Sequence, residues 1–268
     1  MTNGQPAPPR VSRYDGARAR QGKEQIKMKI KGTTAVVTGA GGGLGTCLAG
    51  ELVSRGAARV YAGGRTADAV QHVVELDPER VQPLTLDITD DSQAKAAAKT
   101  APDANRVFNN AGVNAFSTPL EADPALIRRD FDTNVIGMLY VTRAFAPVLE
   151  RNGGGAFVNT LSLLALAPVT AMSPYCLSKA AGHSLTQALR NELSARRIAV
   201  LGVYPGPMDT PMMDGIDAPK ARPEEVAKAI LDATEAGTED VMPDQFSADS
   251  YRGLSSDPKS LERMLSAF

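Results

Sequence analysis

From Thr33 onward, short apolar and β-branched runs alternate with longer stretches whose apolar positions recur at helical spacing. That alternation predicts βαβ units and a parallel sheet, because parallel neighbours need crossover helices between them. Strands are expected over 33–38 (TTAVVT), 58–62, 82–86, 105–109, 155–160, 198–203 and 239–242. Helices are expected near 44–56, 67–75, 90–99, 124–151, 173–197 and 222–236. No internal repeat or linker divides this run, so the pattern reads as one α/β domain over 31–268: a doubly wound parallel sheet of about seven strands with helices on both faces. Residues 1–30 break the pattern. They hold Gly, Pro, Gln and Arg with almost no apolar period, and read as a flexible tail.

Charge sharpens this division. Residues 1–31 carry eight Arg and Lys against Asp15 and Glu24, while the chain as a whole has a net charge of −1. The body is therefore acidic, which excludes nucleic-acid binding by charge, and the tail reads as a flexible arm or, less readily, as a partner-binding arm or targeting peptide. Cys47 and Cys176 form neither a disulfide framework nor a metal-ligand spacing. His72 and His183 fall in helical stretches without partners, and no His, Cys and carboxylate cluster suggests a metal. No apolar run approaches the ~20 residues of a membrane span, and no apolar secretory core is seen near the N-terminus. A cytoplasmic protein without membrane contact is expected.

The first strand runs into Thr38-Gly39-Ala40-Gly41-Gly42-Gly43-Leu44-Gly45, and a helical stretch follows near Thr46. That order places backbone N–H groups and the positive end of a helix where they can hold a pyrophosphate. The fingerprint G-x-G-x-x-G is not matched, since Leu44 occupies its last position. The pattern present is T-G-x-x-x-G-x-G, with Thr38, Gly39, Gly43 and Gly45 in register. A tight βα connection alone also accounts for such a loop.

Further on come Asn109-Asn110-Ala111-Gly112 at a strand end, Asn134 in a helix, Ser162 just past a strand, and Tyr175-Cys-Leu-Ser-Lys179 opening a helix. Tyr175 and Lys179, four apart, share a helix face. A cation beside a phenol stabilises the phenolate and lowers a pKa that starts near ~10. Tyr175 can then give a proton to a carbonyl oxygen or take one from an alcohol, and Ser162 can hydrogen-bond the same oxygen. Taken singly, each residue has an ordinary structural explanation. Taken together, in this order and with thirteen positions from Ser162 to Tyr175, the chain over 32 to about 242 resembles the short-chain dehydrogenase/reductase family.

The resemblance implies a single Rossmann-like fold, a nicotinamide cofactor and a small carbonyl or alcohol substrate. It implies catalytic roles for Asn134, Ser162, Tyr175 and Lys179, with Lys179 also touching the nicotinamide ribose and Asn134 supporting a water-linked proton relay. Cofactor contacts are implied at Thr38, Gly39, Gly43, Leu44, Gly45, Gly64, Arg65, Asp87, Ile88, Asn110, Ala111, Gly112, Pro205, Gly206, Met208 and Thr210. Asp87 reads equally well as a helix cap, and Asn109 to Gly112 as a support for the strand end. In relatives that prefer NAD, an Asp stands at the position of Gly64. Here no acid is present and Arg65 follows, a guanidinium suited to a 2′-phosphate, so NADP(H) is favoured over NAD(H). Relatives that prefer NADP often add a basic residue at the position of Gly42, which this chain lacks, and Arg65 also reads as a solvated turn residue.

A short lid is expected near 208–221, with Leu163, Leu164, Ala165, Val169, Met172, Met208 and Met212 as apolar candidates for a pocket that takes an uncharged substrate. Several of them read equally as core. Relatives pair helices equivalent to 124–151 and 173–197 across subunits, which implies a homodimer or homotetramer. Reduction of C=N or C=C bonds on the same scaffold, or a noncatalytic dinucleotide sensor or scaffold, are the alternative functions.

Overall fold

The structure is a computed structural model describing residues 28–257 and 259–266. Seven parallel strands form one sheet: β1 (Thr34–Thr38), β2 (Arg59–Gly64), β3 (Val81–Thr85), β4 (Arg106–Asn109), β5 (Gly155–Thr160), β6 (Ile198–Val203) and β7 (Asp240–Val241). Their spatial order is β3-β2-β1-β4-β5-β6-β7, so the chain reverses its direction of travel across the sheet at β1 and β4. The central strands β1, β4, β5 and β6 are buried on both faces and their side chains alternate between two apolar layers, while edge strand β3 exposes Gln82, Pro83 and Thr85. Val37, Val158, Leu201 and Val203 face one layer, built with Leu48 and Leu52 of α1 (Gly43–Ser54) and with residues that include Val226, Ile230 and Leu231 further along the chain. Val36, Val107, Phe157 and Val200 face the other, with Phe145, Leu149, Leu189 and Leu193. The fold is a doubly wound Rossmann-like sheet with helices on both faces.

The helices depart from the sequence pattern in instructive places. The span 67–75 contains a 3₁₀ turn and the single-turn α2 (Gln71–Val74), followed later by α3 (Asp91–Thr100). The span 124–151 is three pieces: α4 (Pro124–Phe131), a π-helical turn at Asp132–Gly137, and α5 (Met138–Arg151). The expected helix 173–197 is α6 (Ser173–Leu193) and a 3₁₀ turn, ended by Arg197 at φ 57°. After α7 (Pro223–Ala236) and β7 come two helices absent from the sequence reading, α8 (Gln245–Ser256) and α9 (Ser260–Leu265).

Of the expected tail, residues 1–27 lie outside the described residues. The end of that span is packed: Met28 and Ile30 are buried in the first layer, and Glu235 of α7 accepts the Ile30 N–H at 3.0 Å. The body therefore starts earlier than a boundary at residue 30. No described helix is long and apolar enough to cross a membrane.

One buried charge is out of place in this core. Arg106, on central strand β4, is 9% exposed, and its Nη1 donates to the Asn105 carbonyl at 2.8 Å while its Nε has no partner. Burial lowers its pKa, and among the described residues no carboxylate pairs with it. A buried cation without a counter-charge is costly. Arg106→Met should therefore stabilise the protein by on the order of 1–2 kcal/mol and raise Tm by roughly 2–4 °C per kcal/mol in thermal denaturation; a lower Tm overturns this account.

Candidate active site

The site is built at the carboxyl ends of β1 and β4, where the sheet order reverses and a crevice must open. The Thr38 hydroxyl donates to the Phe108 carbonyl at 3.3 Å and accepts the N–H groups of Asn110 and Ala111, each at 3.0 Å. The Asn110 amide donates in turn to the carbonyls of Thr38 and Gly39 at 3.1 and 3.2 Å. Gly39 has φ 63°, and a Cβ there would sit 2.8 Å from the Ala111 Cα. A Cβ at Gly45 would meet the Gly39 carbonyl at 2.2 Å, so only glycine lets α1 start this close to the loop. Gly42 caps α1 without a side chain, and the first turn holds no acid. The positive helix end is left open to an anion.

A cleft of about 470 Å³ lies beside this loop, between Gly41, Gly43 and Thr46 on one side and Asp209, Pro211 and Arg222 on the other. The 208–221 segment supplies one of its walls through Asp209 and Pro211. Met208 and Ala221 bridge at its base, Thr210 places its methyl 2.7 Å from where a Gly43 Cβ would be, and Asn114 donates to the Met212 carbonyl at 3.4 Å.

Ser162, Tyr175 and Lys179 come together. Ser162 stands in extended backbone after β5, where its Oγ accepts the Leu164 N–H at 3.1 Å and its hydroxyl lies near enough to the Tyr175 phenol to act on its proton. Lys179 lies 5.5 Å over the Tyr175 ring and donates to the Thr160 carbonyl at 2.8 Å. Asn134 sits in the π-helical turn, a departure that recurs at functional sites. Its Oδ1 accepts the Val113 N–H at 3.0 Å, and its Nδ2 donates to the Val113 carbonyl at 2.9 Å and to Ser178 Oγ at 2.8 Å. Gly112 lies beside both Asn134 and Lys179.

The electrostatics correct the sequence expectation. Burial pushes the half-buried Tyr175 phenol up to about 12, against the Ser162 hydroxyl, rather than a cation drawing it down. Burial also pulls the Lys179 ammonium down to about 8, with the Asp130 carboxylate opposing. At neutral pH the phenol keeps its proton.

Other expected residues fall into clear places. Gly64 ends β2, Arg65 is exposed beyond it, and Ile88 is buried against Gly137. Asp87 is not the cap of α3, which is Asp90; its Oδ1 accepts from the N–H and hydroxyl of Thr89 instead. Leu164 is half-buried, Met172 buried and Met212 exposed. Leu163 differs from expectation: it is buried against Leu261 and Leu265 of α9, which leaves it almost no surface to offer a substrate. His183 is not a plain surface residue, since its Nδ1 lies 2.7 Å from the buried Tyr204 hydroxyl.

Sequence reading missed Asp244, whose carboxylate accepts the Gly206 N–H at 2.9 Å and so fixes the Pro205–Gly206 loop while capping α8. The Asp-x-x-Ser spacing of Asp244 and Ser247 was the available signal. Among the described residues, no group of three or more His, Cys, Asp or Glu could hold a metal.

Lys179 links the site to stability. Between pH about 8 and 10.5 the folded protein binds fewer protons at this group than the unfolded chain, so stability rises with pH across that window and the full penalty is present below it. In Lys179→Met the apoprotein at pH 7 should gain a few kcal/mol, less about 1 kcal/mol for the orphaned Thr160 carbonyl. Chemical denaturation should show the gain vanish by about pH 10.5. A variant less stable than the parent at pH 7 contradicts the assignment of a desolvated ammonium.

The chain matches the family model described as short chain dehydrogenase over residues 33–221. It is similar to a short chain dehydrogenase from Burkholderia cenocepacia, solved in complex with NADP, at 39% identity and TM-score 0.83 over 89% of this chain and 99% of that one. A short-chain type dehydrogenase/reductase from Mycobacterium marinum is 26% identical, with TM-score 0.75 over 80% and 94% of the two chains. An uncharacterized oxidoreductase of Staphylococcus aureus is 31% identical over 205 residues, 74% of this chain and 88% of its own length. The chain belongs to the short-chain dehydrogenase/reductase family of nicotinamide-dependent oxidoreductases.

Proposed function

We propose that the protein reduces a small, uncharged carbonyl compound with NADPH, and that Tyr175 delivers the proton. The observation that carries this reading is the cluster of Ser162, Tyr175 and Lys179 at the carboxyl edge of the sheet, with a phenol held protonated by burial. The residues beside it fit a dinucleotide. The uncapped start of α1 and the glycine loop suit its pyrophosphate, and exposed Arg65, with no carboxylate at Gly64, suits a 2′-phosphate. The bound nicotinamide supplies the hydride.

Ser162 holds the carbonyl oxygen beside the phenol, and Tyr175 gives its proton to that oxygen as negative charge develops there. Lys179, next to the emptied phenolate, offsets its charge. Asn134 fixes Val113 and Ser178 around the pair. Half-buried Leu164 and the lid methionines Met208 and Met212 offer the substrate an apolar wall.

Cofactor consumption against a panel of aliphatic and aromatic ketones should show turnover, with charged keto acids poor. Tyr175→Phe should lower kcat at least ~10²–10⁴-fold while cofactor binding stays nearly intact. Substantial turnover in that variant, or a preference for keto acids, overturns the reading.

The cofactor choice has its own test. A charge-assisted phosphate contact is worth ~1.5–3 kcal/mol, which is about tenfold to over a hundredfold in affinity. kcat/KM for NADPH should therefore exceed that for NADH by at least about tenfold, and Arg65→Ala should remove most of the difference. Equal use of both cofactors by the unmodified enzyme refutes it.

A further inference from the structure

Asp130, on the last turn of α4, is fully buried, yet the reaction as described makes no use of it. Its Oδ2 accepts the Ala115 N–H at 2.8 Å, and its Oδ1 accepts from Nε and Nη2 of Arg129 at 3.1 and 2.8 Å. The same Arg129 Nη2 donates to the Asn114 carbonyl at 2.8 Å. One helical turn further, Asn134 grips Val113 by both its N–H and its carbonyl. Three consecutive residues of the loop leaving β4, Val113 to Ala115, are thus held from α4 and the π-helical turn. The loop runs on to Ser117, whose carbonyl accepts the Ser173 N–H at 3.1 Å, two residues before Tyr175. A single strap therefore joins the buried carboxylate to the turn that carries the phenol.

We infer that Asp130 is a positioning residue for proton transfer: it fixes the 113–117 strap against the first turn of α6, and its buried negative charge retains a proton on the Tyr175–Lys179 pair, favouring donation over removal near neutral pH. This rests on the reading of that pair as the proton-transferring group.

A negative charge favours the protonated form of every acid or base near it. Asp130 acts in that sense on both partners: it opposes the burial that lowers Lys179 and adds to the burial that raises Tyr175. The charged and titratable groups that interact with this carboxylate are Arg129 on its own helix and, through space, Tyr175 and Lys179 on α6, with Cys176 also acting on the phenol; the β4 loop contributes backbone groups. The Arg129 side chain is 48% exposed and Asp130 is 0% exposed, so water screens the cation far more than the anion.

The pair titrates as a unit, so a direct reading of one member is the useful probe. Competitive acetylation of the full chain with acetic anhydride over a pH series, read by peptide mass spectrometry, gives the midpoint of Lys179 without substrate or cofactor. Asp130→Asn keeps an acceptor for the Ala115 N–H and loses the charge, and should lower the Lys179 midpoint by about one pH unit. Should the unpaired Arg129 unfold that variant, the neutral pair Arg129→Gln/Asp130→Asn should still lie below Arg129→Gln alone. With NADPH and 4-nitrobenzaldehyde, the alkaline limb of the rate profile should move to lower pH alongside the midpoint.

An unmoved midpoint, or a raised KM with an unmoved pH profile, overturns the inference and leaves Asp130 a structural anchor. Tyr175→Phe, run beside these variants, separates the two failures. Its loss of turnover with an unmoved midpoint sinks only the role of Asp130, whereas retained turnover sinks the proton-transfer reading and this inference with it.

Discussion

One hydroxyl ties the two strands on which the whole site depends. Thr38 Oγ1 donates to the carbonyl of one residue on β4 and accepts the N–H groups of the two that follow that strand. In a parallel sheet, adjacent strands diverge where their crossovers leave in opposite directions. The backbone groups exposed there need partners or water. Thr38 and Asn110 supply them from side chains, so the crevice is kept open by the same bonds that satisfy it. The glycine loop, the Asn134 clip and the strap to α6 all take their positions from that junction.

The proposed catalytic cluster sits on ground that is costly for the fold. Lys179 is buried with its charge, Tyr175 is raised by burial, and Asp130 is enclosed with its ion pair going to the half-exposed Arg129. None of these is a stabilising arrangement by the usual accounting of buried ions. Shifted groups gathered in this way are what the proposed proton transfer would require, and their burial is its cost to the fold. Arg106, on the same central strand β4, is buried without such a purpose on view, and nothing in the described structure explains it.

Features encoded locally were legible in the sequence. Strand, glycine loop and helix start follow one another within a dozen residues, and Tyr175 and Lys179 share one turn of one helix, so spacing alone recovered them. Features decided by tertiary burial were not. A cation four residues from a phenol looked able to lower its pKa, but desolvation of both outweighs their attraction, and that depends on what covers them. The π-helical turn at Asp132–Gly137 has no compositional mark, because the same residues fit an ordinary helix until the loop from β4 claims the Asn134 amide. The two last helices were missed because their apolar positions are few, and Leu163 was placed in a pocket because its cover, Leu261 and Leu265, lies nearly a hundred residues further on.

The bond from Gly206 to Asp244 bears on how the molecule is made. Synthesis runs from the amino end at about 5–20 residues per second, and segments fold as they emerge. The sheet through β6, Tyr175 and Lys179, and the glycine loop all precede Asp244 in the chain, so they leave the ribosome without the carboxylate that fixes the Pro205–Gly206 loop and without the helix that covers Leu163. The nascent chain therefore passes through an interval in which Leu163 and the Pro205–Gly206 loop lack the contacts that hold them in the finished fold. The arrival of the last helices is what ends that interval.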